Sequence, residues 1–138
     1  MFQFERDIHA ARKKGELATD DFNALWRARQ EEMFQGAITL TEGYDYWWSY
    51  IPHFVHSPFY VYAYAFGQLL ALGLFERYQS APDTFPGKYR EFLRAGNSLS
   101  PQELGRNMGI NLSKSDIWQQ GVVAFRKRVK AAITLAGV

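Results

Sequence analysis

The chain has 138 residues and carries sixteen Lys and Arg against fourteen Asp and Glu, a net charge of +2 that gives no reason to expect nucleic acid as a partner. Its length suits one domain, and a hydrophobic fraction of 47% with a mean hydropathy of -0.31 describes a chain that folds in water. The lack of cysteine excludes disulfides, thiolate metal sites and thiol catalysis, and suits a reducing compartment.

The N-terminal stretch MFQFERDIHAARKKGE interrupts its apolar positions with charge, unlike a signal peptide, so a cytoplasmic location is expected. Phe4, Ile8 and Ala11 recur at helical spacing and predict a short first helix ending at Lys13-Lys14-Gly15. Thr19-Asp20-Asp21 reads as a cap and acidic first turn. Phe22, Leu25, Trp26, Arg29 and Met33 follow at steps of three and four, predicting a second helix to about Gln35-Gly36. Residues 37 to 58 mix Gly43, Pro52 and Pro58 with aromatics and show no sustained period. They are expected to form an ordered aromatic loop, with one helical turn around Trp47, Trp48 and Tyr50.

From Phe59 to about Tyr78 nearly every residue is apolar or aromatic, which predicts a central helix buried on most sides. The stretch has the length of a membrane span, but tyrosines, Gln68 and two glycines interrupt it, so no membrane is expected. After a break at Ala81-Pro82-Asp83, residues Phe85, Tyr89, Phe92 and Leu93 mark an amphipathic helix ended by Gly96-Asn97. Ser100-Pro101-Gln102-Glu103 is a capping box with proline in the first helical position, opening a short helix that stops near Gly109. A last helix runs from the Ser113 to Asp116 region through Trp118, Val122, Phe125, Val129 and Ile133. With no strand signal and no repeat, the expected fold is an all-α bundle over residues 1–138. Aromatic residues make up 17% of the chain, more apolar surface than a small domain covers alone, so self-association or a separate covering segment is expected.

Chemistry concentrates in Ile51 to Gly67, IPHFVHSPFYVYAYAFG. Pro52 and Pro58 place His53 and His56 on a loop before the central helix. On that helix Tyr60, Tyr64 and Gly67 share one face, while Tyr62 and Phe66 share another. Imidazole beside two phenols reads either as a set of hydrogen-bond donors to an oxyanion or as an aromatic cluster whose hydroxyls are satisfied internally. His53-x-x-His56 without a nearby carboxylate or cysteine is a weak metal signal. His9, four residues after Glu5, reads as part of a solvated face. No G-x-S-x-G, G-x-G-x-x-G or G-x-x-x-x-G-K sequence is present.

The run Gly43-Tyr44 through Trp47-Trp48, then Ile51-Pro52-His53-Phe54 and Pro58 to Gly67, resembles the C-terminal part of oligoendopeptidase F. That family stands with the thimet-oligopeptidase-like zinc metallopeptidases. The likeness continues through Glu32-Met33-Phe34, Glu76-Arg77-Tyr78, Lys88-Tyr89, Ala95-Gly96, Ser100 to Leu104, Gly109-Ile110 and Trp118. It implies an all-helical bowl around a cleft that cleaves short peptides. In that family zinc sits on an H-E-x-x-H helix plus a further glutamate. The resemblance also implies substrate-binding and oxyanion-stabilising residues on the opposite wall: His53, Tyr60 and Tyr64 as catalytic, and His56 and Tyr62 as substrate-binding. His56 stands as the alternative to His53, because loop lengths before the tyrosines vary. The sequence departs from the family in having no H-E-x-x-H, so no zinc is expected on this chain. The resulting expectation is a peptidase fragment, inactive alone, whose partner is either the missing N-terminal part or a second copy. The alternative is a non-catalytic helical module that self-associates or binds peptides through its aromatic surface.

Overall fold

The computed structural model describes residues 1–137, and every regular element among them is a helix. The chain, read from sequence as a single domain, gathers into two compact units, Met1–Ala63 and Tyr64–Val138.

The first unit contains α1 (Phe2–Arg12), α2 (Thr19–Phe34), a 3-10 helix (Tyr44–Tyr50) and the one-turn α3 (Pro52–Val55). Periodicity places Phe4 and Ile8 on one face of α1 and Trp26 on the facing side of α2, and these three form the buried core. Phe4 is fully buried, and its ring meets Trp26 edge-on at 5.2 Å and Phe54 at 5.0 Å. A buried aromatic of this size stabilises by about 3 kcal/mol through area alone, and each edge contact adds roughly 1 kcal/mol. Asp7 pairs with Arg29 at 2.6 Å, tying α1 to α2, and that bond is the main cause holding the Arg29 pKa above its ordinary value. α2 starts one residue earlier than its cap signal suggests. Ala18 is the N-cap, and Asp21 reaches back to accept the Ala18 N–H at 2.8 Å, so only the carboxylate half of a capping box is present.

Two sequence expectations are corrected in this unit. The segment expected as an aromatic loop with one helical turn carries more helix than that: Tyr44 to Tyr50 wind into a 3-10 helix that includes the turn expected around Trp47, Trp48 and Tyr50, and Pro52 begins α3. Proline in a first helical position lacks only an N–H that would have no intrahelical partner, so Pro52 starts a turn where its breaker role suggested none. Glu5 and His9 do not lie on a solvated face either. Glu5 is buried and His9 is half-buried, because the chain around Phe59 packs over them.

The second unit is built from α4 (Tyr62–Ser80), α5 (Phe85–Ala95), α6 (Pro101–Asn107) and α7 (Asp116–Ala136). Leu74, Phe85, Met108, Ile110 and Ile117 form its core, with Trp118 against it and its indole N–H bonded to Leu112 O at 3.0 Å. The Ser100 and Glu103 capping box is present in both directions, and the bonds from Ser100 keep the Glu103 carboxyl below its usual pKa. α6 ends in a Schellman motif: Ile110 N–H bonds Gly105 O and Gly109 N–H bonds Arg106 O, both at 2.8 Å. Gly109 takes the left-handed φ of 73° that the motif needs.

The central helix is less buried than its composition suggests. Only Leu72, Gly73 and Leu74 of α4 are buried, while Tyr62, Tyr64, Phe66, Phe75 and Tyr78 are exposed. Apolar composition sets the demand for cover, but the covering side must come from other elements, and α7 meets α4 along a narrow strip. At that strip the backbones touch. A Cβ on Gly73 would stand 2.6 Å from Ile117 O, and one on Gly121 would stand 2.3 Å from Leu69 O. Leu69 opposite Gly121, and Gly73 opposite Ile117, make the crossing antiparallel. Beyond Ala124 every described residue of α7 is exposed, including Phe125, Val129 and Ile133 of its expected apolar face.

Gly121→Ala is expected to destabilise the chain. Forcing a methyl against the Leu69 backbone costs about 3 kcal/mol, while better helix propensity returns about 1 kcal/mol. The net loss of about 2 kcal/mol should lower the melting temperature by roughly 8 °C in calorimetry. Gly15→Ala, with nothing within 4 Å of the added methyl, should change stability by less than about 0.5 kcal/mol.

Candidate functional site

Tyr44 and Trp48 of the 3-10 helix dock on α2 through paired polar contacts. Trp48 Nε1–H donates to Asn23 Oδ1 at 2.8 Å, and Tyr44 O–H donates to Gln30 Oε1 at 3.2 Å. Asn23 and Gln30 are both buried, so each bond satisfies a group that would otherwise be stranded. Phe22 stacks on Trp48 at 4.8 Å, and Asp45 pairs with Arg27 at 2.6 Å. The Asp45 bond is the main cause raising the Arg27 pKa. Ile51 N–H bonds Trp48 O, and α3 follows directly, so docking of the 3-10 helix fixes where α3 begins.

On α3, Phe54 turns inward onto Phe4 and Trp26. Its neighbour His53 is half-buried and lies parallel to the ring of Tyr60, with centroids 5.3 Å apart and 9° between the planes. The chain returns from α3 to this contact through Phe59, whose φ of 66° lies in the left-handed region. For a residue with a Cβ this conformation costs about 1–2 kcal/mol, so something must hold it. The Phe59 N–H donates to Glu5 Oε1 at 2.6 Å, and the imidazole of His9 stacks on the Phe59 ring at 4.3 Å.

The left-handed residue corrects the expected site geometry. α4 begins at Tyr62 instead of Phe59, so Tyr60 stands before the helix and does not share a helical face with Tyr64. Tyr60 O accepts the Ala63 N–H at 3.0 Å, which leads the chain into the first turn of α4. Tyr62 and Tyr64 both occupy that first turn and are exposed; Tyr64 opens the second unit. His56 follows α3 and is exposed, with its N–H bonded to Pro52 O at 2.7 Å. Of the five sequence candidates, His53 and Tyr60 stack on one another. Glu5 and Phe59, whose hydrogen bond lies immediately before Tyr60 in the chain, are not among the five. One signal was available: Glu5 lies between Phe4 and Ile8, a carboxylate set inside an apolar stripe.

The zinc that the family resemblance implies does not fit the residues present. Among the described residues no group of three His, Cys, Asp or Glu side chains is placed to hold a metal ion. No described helix is long and apolar enough to cross a membrane.

Residues 1–124 match the family model for peptidase family M3. The chain belongs to that family. Over 128 residues it is 31% identical to the plasmid oligoendopeptidase F of Lactococcus lactis subsp. cremoris, covering 92% of this chain and 21% of that protein. It is 29% identical over 129 residues to the group B oligopeptidase PepB of Streptococcus agalactiae serotype III, with the same coverage of each. To the oligopeptidase PepF of Bacillus subtilis it is 24% identical over 128 residues, which is 92% of this chain and 19% of that protein. The M3 chain therefore spans about a fifth of the length of the curated relatives it matches. No solved structure matches it.

Zinc added to this M3 chain is expected to leave its melting temperature unchanged, because no described cluster supplies three ligands. A rise of several degrees at a hundredfold excess over a micromolar constant, worth about 2.7 kcal/mol, would contradict the ligand assignment.

Proposed function

We propose that this chain supplies the substrate-binding and oxyanion-stabilising side of an M3 peptidase that acts on short peptides, and that it does not cleave peptides alone. The contact that carries the reading is the parallel His53 and Tyr60 pair, held on a docked turn beside the first turn of α4. As water adds to a peptide carbonyl, the oxygen gains negative charge. Imidazole N–H and phenol O–H groups already aimed at that oxygen stabilise it more in the transition state than in the ground state. We assign His53, Tyr60 and Tyr64 to that role, and Tyr62 with His56 to holding the peptide. Activation of the water falls to the part of a peptidase that bears H-E-x-x-H, which this sequence lacks. The family's zinc therefore belongs to that other part, and the reducing cytoplasm is the compartment we assign.

A second reading rests on the exposed rings of α4 and the exposed apolar face of α7. Apolar surface of this kind calls for cover. Under this reading the chain is a non-catalytic helical module that pairs with a second copy or takes a peptide there, and its mass in light scattering rises with concentration.

The two readings separate in a cleavage assay with an internally quenched peptide. The chain is tested alone and with an upstream fragment of a relative bearing H-E-x-x-H, with zinc present and a chelator as control. Cleavage is expected only in the mixture, and Tyr60→Phe should lower its kcat by about a hundredfold, the usual loss for one oxyanion donor. His53→Ala should act in the same direction. Absence of cleavage in a mixture that demonstrably forms a complex, or an unaltered kcat in Tyr60→Phe, would refute the first reading.

A further inference from the structure

The contact between residues 5 and 59 spans 54 positions and joins an otherwise buried carboxylate to one backbone N–H. Carboxylates are rarely buried without a partner, because removal from water is costly unless strong hydrogen bonds replace it. Asp7, two residues along the same helix, has Arg29 as its partner. The Glu5 carboxylate accepts the amide N–H of Phe59. That amide belongs to a residue with a left-handed φ that lies between α3 and α4 in the chain. Immediately after it comes Tyr60, parallel to His53. Phe4, next to Glu5, is the fully buried centre of the unit, so Glu5 is anchored to the least movable part of α1. His9, one turn further along α1, covers the ring of Phe59 from the same helix.

We propose that Glu5 is a positioning residue: its carboxylate clamps Phe59 in the left-handed conformation and thereby sets the parallel placement of Tyr60 on His53. Glu5 acts through the backbone of Phe59, with His9 closing over the side chain. A catalytic consequence rests on the oxyanion role proposed above for Tyr60; the clamp itself does not. With a neutral amide oxygen still available, Gln at position 5 accepts the same bond. Leu fills the same space and accepts nothing, leaving Phe59 with its strain unopposed.

The test is NMR on the whole chain with Glu5→Gln and Glu5→Leu. Ring-to-ring NOEs between His53 and Tyr60 should persist in Glu5→Gln and vanish in Glu5→Leu. NOEs between Phe22 and Trp48 in the docked 3-10 helix should persist in both. Retention of the His53 and Tyr60 NOEs in Glu5→Leu would overturn the proposal. Should Glu5→Leu also lose the Phe22 and Trp48 NOEs, Phe59→Pro makes the same test from the other end, since its nitrogen carries no proton and its φ cannot become positive. That variant should lose the His53 and Tyr60 contact and keep the Phe22 and Trp48 contact, and the opposite pattern would overturn the clamp.

The catalytic consequence is read separately, in the mixture with the upstream fragment. There Glu5→Leu should lower kcat by roughly ten- to a hundredfold with little change in KM, as displacement of a catalytic group by about 1 Å does, while Glu5→Gln restores most of it. Lost NOEs with unaltered kcat would refute the catalytic consequence. If Tyr60→Phe also leaves kcat unaltered, the fault lies with the oxyanion reading and not with the clamp.

Discussion

Phe4 has no exposed surface and touches the rings of Trp26 and Phe54, and this packing commits its neighbour Glu5 to a place from which it cannot reach bulk water. A helix turns about 100° per residue, which leaves Gln3 on one side of Phe4 exposed and puts Glu5 on the other side, where it is buried. Glu5 resolves the cost of burial by accepting the Phe59 amide. From that one bond follow the left-handed φ of Phe59, the late start of α4 and the placement of Tyr60 before the helix instead of on it. The same aromatic cluster that supplies the stability of the first unit also supplies the rigid footing for its candidate site. Phe54 faces the core while His53, its neighbour on α3, meets Tyr60. A turn as short as α3 has no stability of its own and takes its conformation from such anchoring.

The second unit solves a different problem, the packing of two long helices. Gly73 and Gly121 remove side chains where α4 and α7 cross, and backbone approaches backbone. Close approach yields good van der Waals contact along a narrow line, at the expense of the width over which larger side chains would interdigitate. That geometry accounts for the exposed aromatic side of α4 and the exposed far half of α7. The surplus of apolar surface expected from an aromatic content of 17% thus has a definite location. In an M3 peptidase sequence matching about a fifth of its relatives, such surface is where a larger assembly would gain most by covering it.

Much of this was legible in the sequence, for reasons that differ between elements. Steps of three and four mark α1, α2 and α5, and the Ser100 and Glu103 box fixes the start of α6, because these signals are local and their partners lie within one turn. The start of α4 was not legible, since it is decided by a carboxylate 54 positions away. Pro52 was ambiguous in principle: the same ring that ends a helix also begins one, and docking of Trp48 on Asn23 chooses between them. Burial of α4 was overestimated because apolarity reports what a helix would gain from cover, not whether cover is there. As for the site, the IPHFVHSPFYVYAYAFG segment carried His53 and Tyr60 into view through its family likeness, while their mutual geometry required a backbone conformation that no residue type at position 59 announces.

The most direct test of the central claim is a chimaera in which this chain replaces the stretch it matches in the plasmid oligoendopeptidase F of Lactococcus lactis. Its kcat on a quenched peptide would be compared with that of the same chimaera bearing Tyr60→Phe. An active chimaera whose kcat falls about a hundredfold with Tyr60→Phe, at similar KM, is the predicted result, because only the transition state gains from the phenol donor. A folded chimaera without activity, or one indifferent to Tyr60→Phe, would contradict the account and leave this M3 chain as a packed helical module whose aromatic cluster serves stability alone.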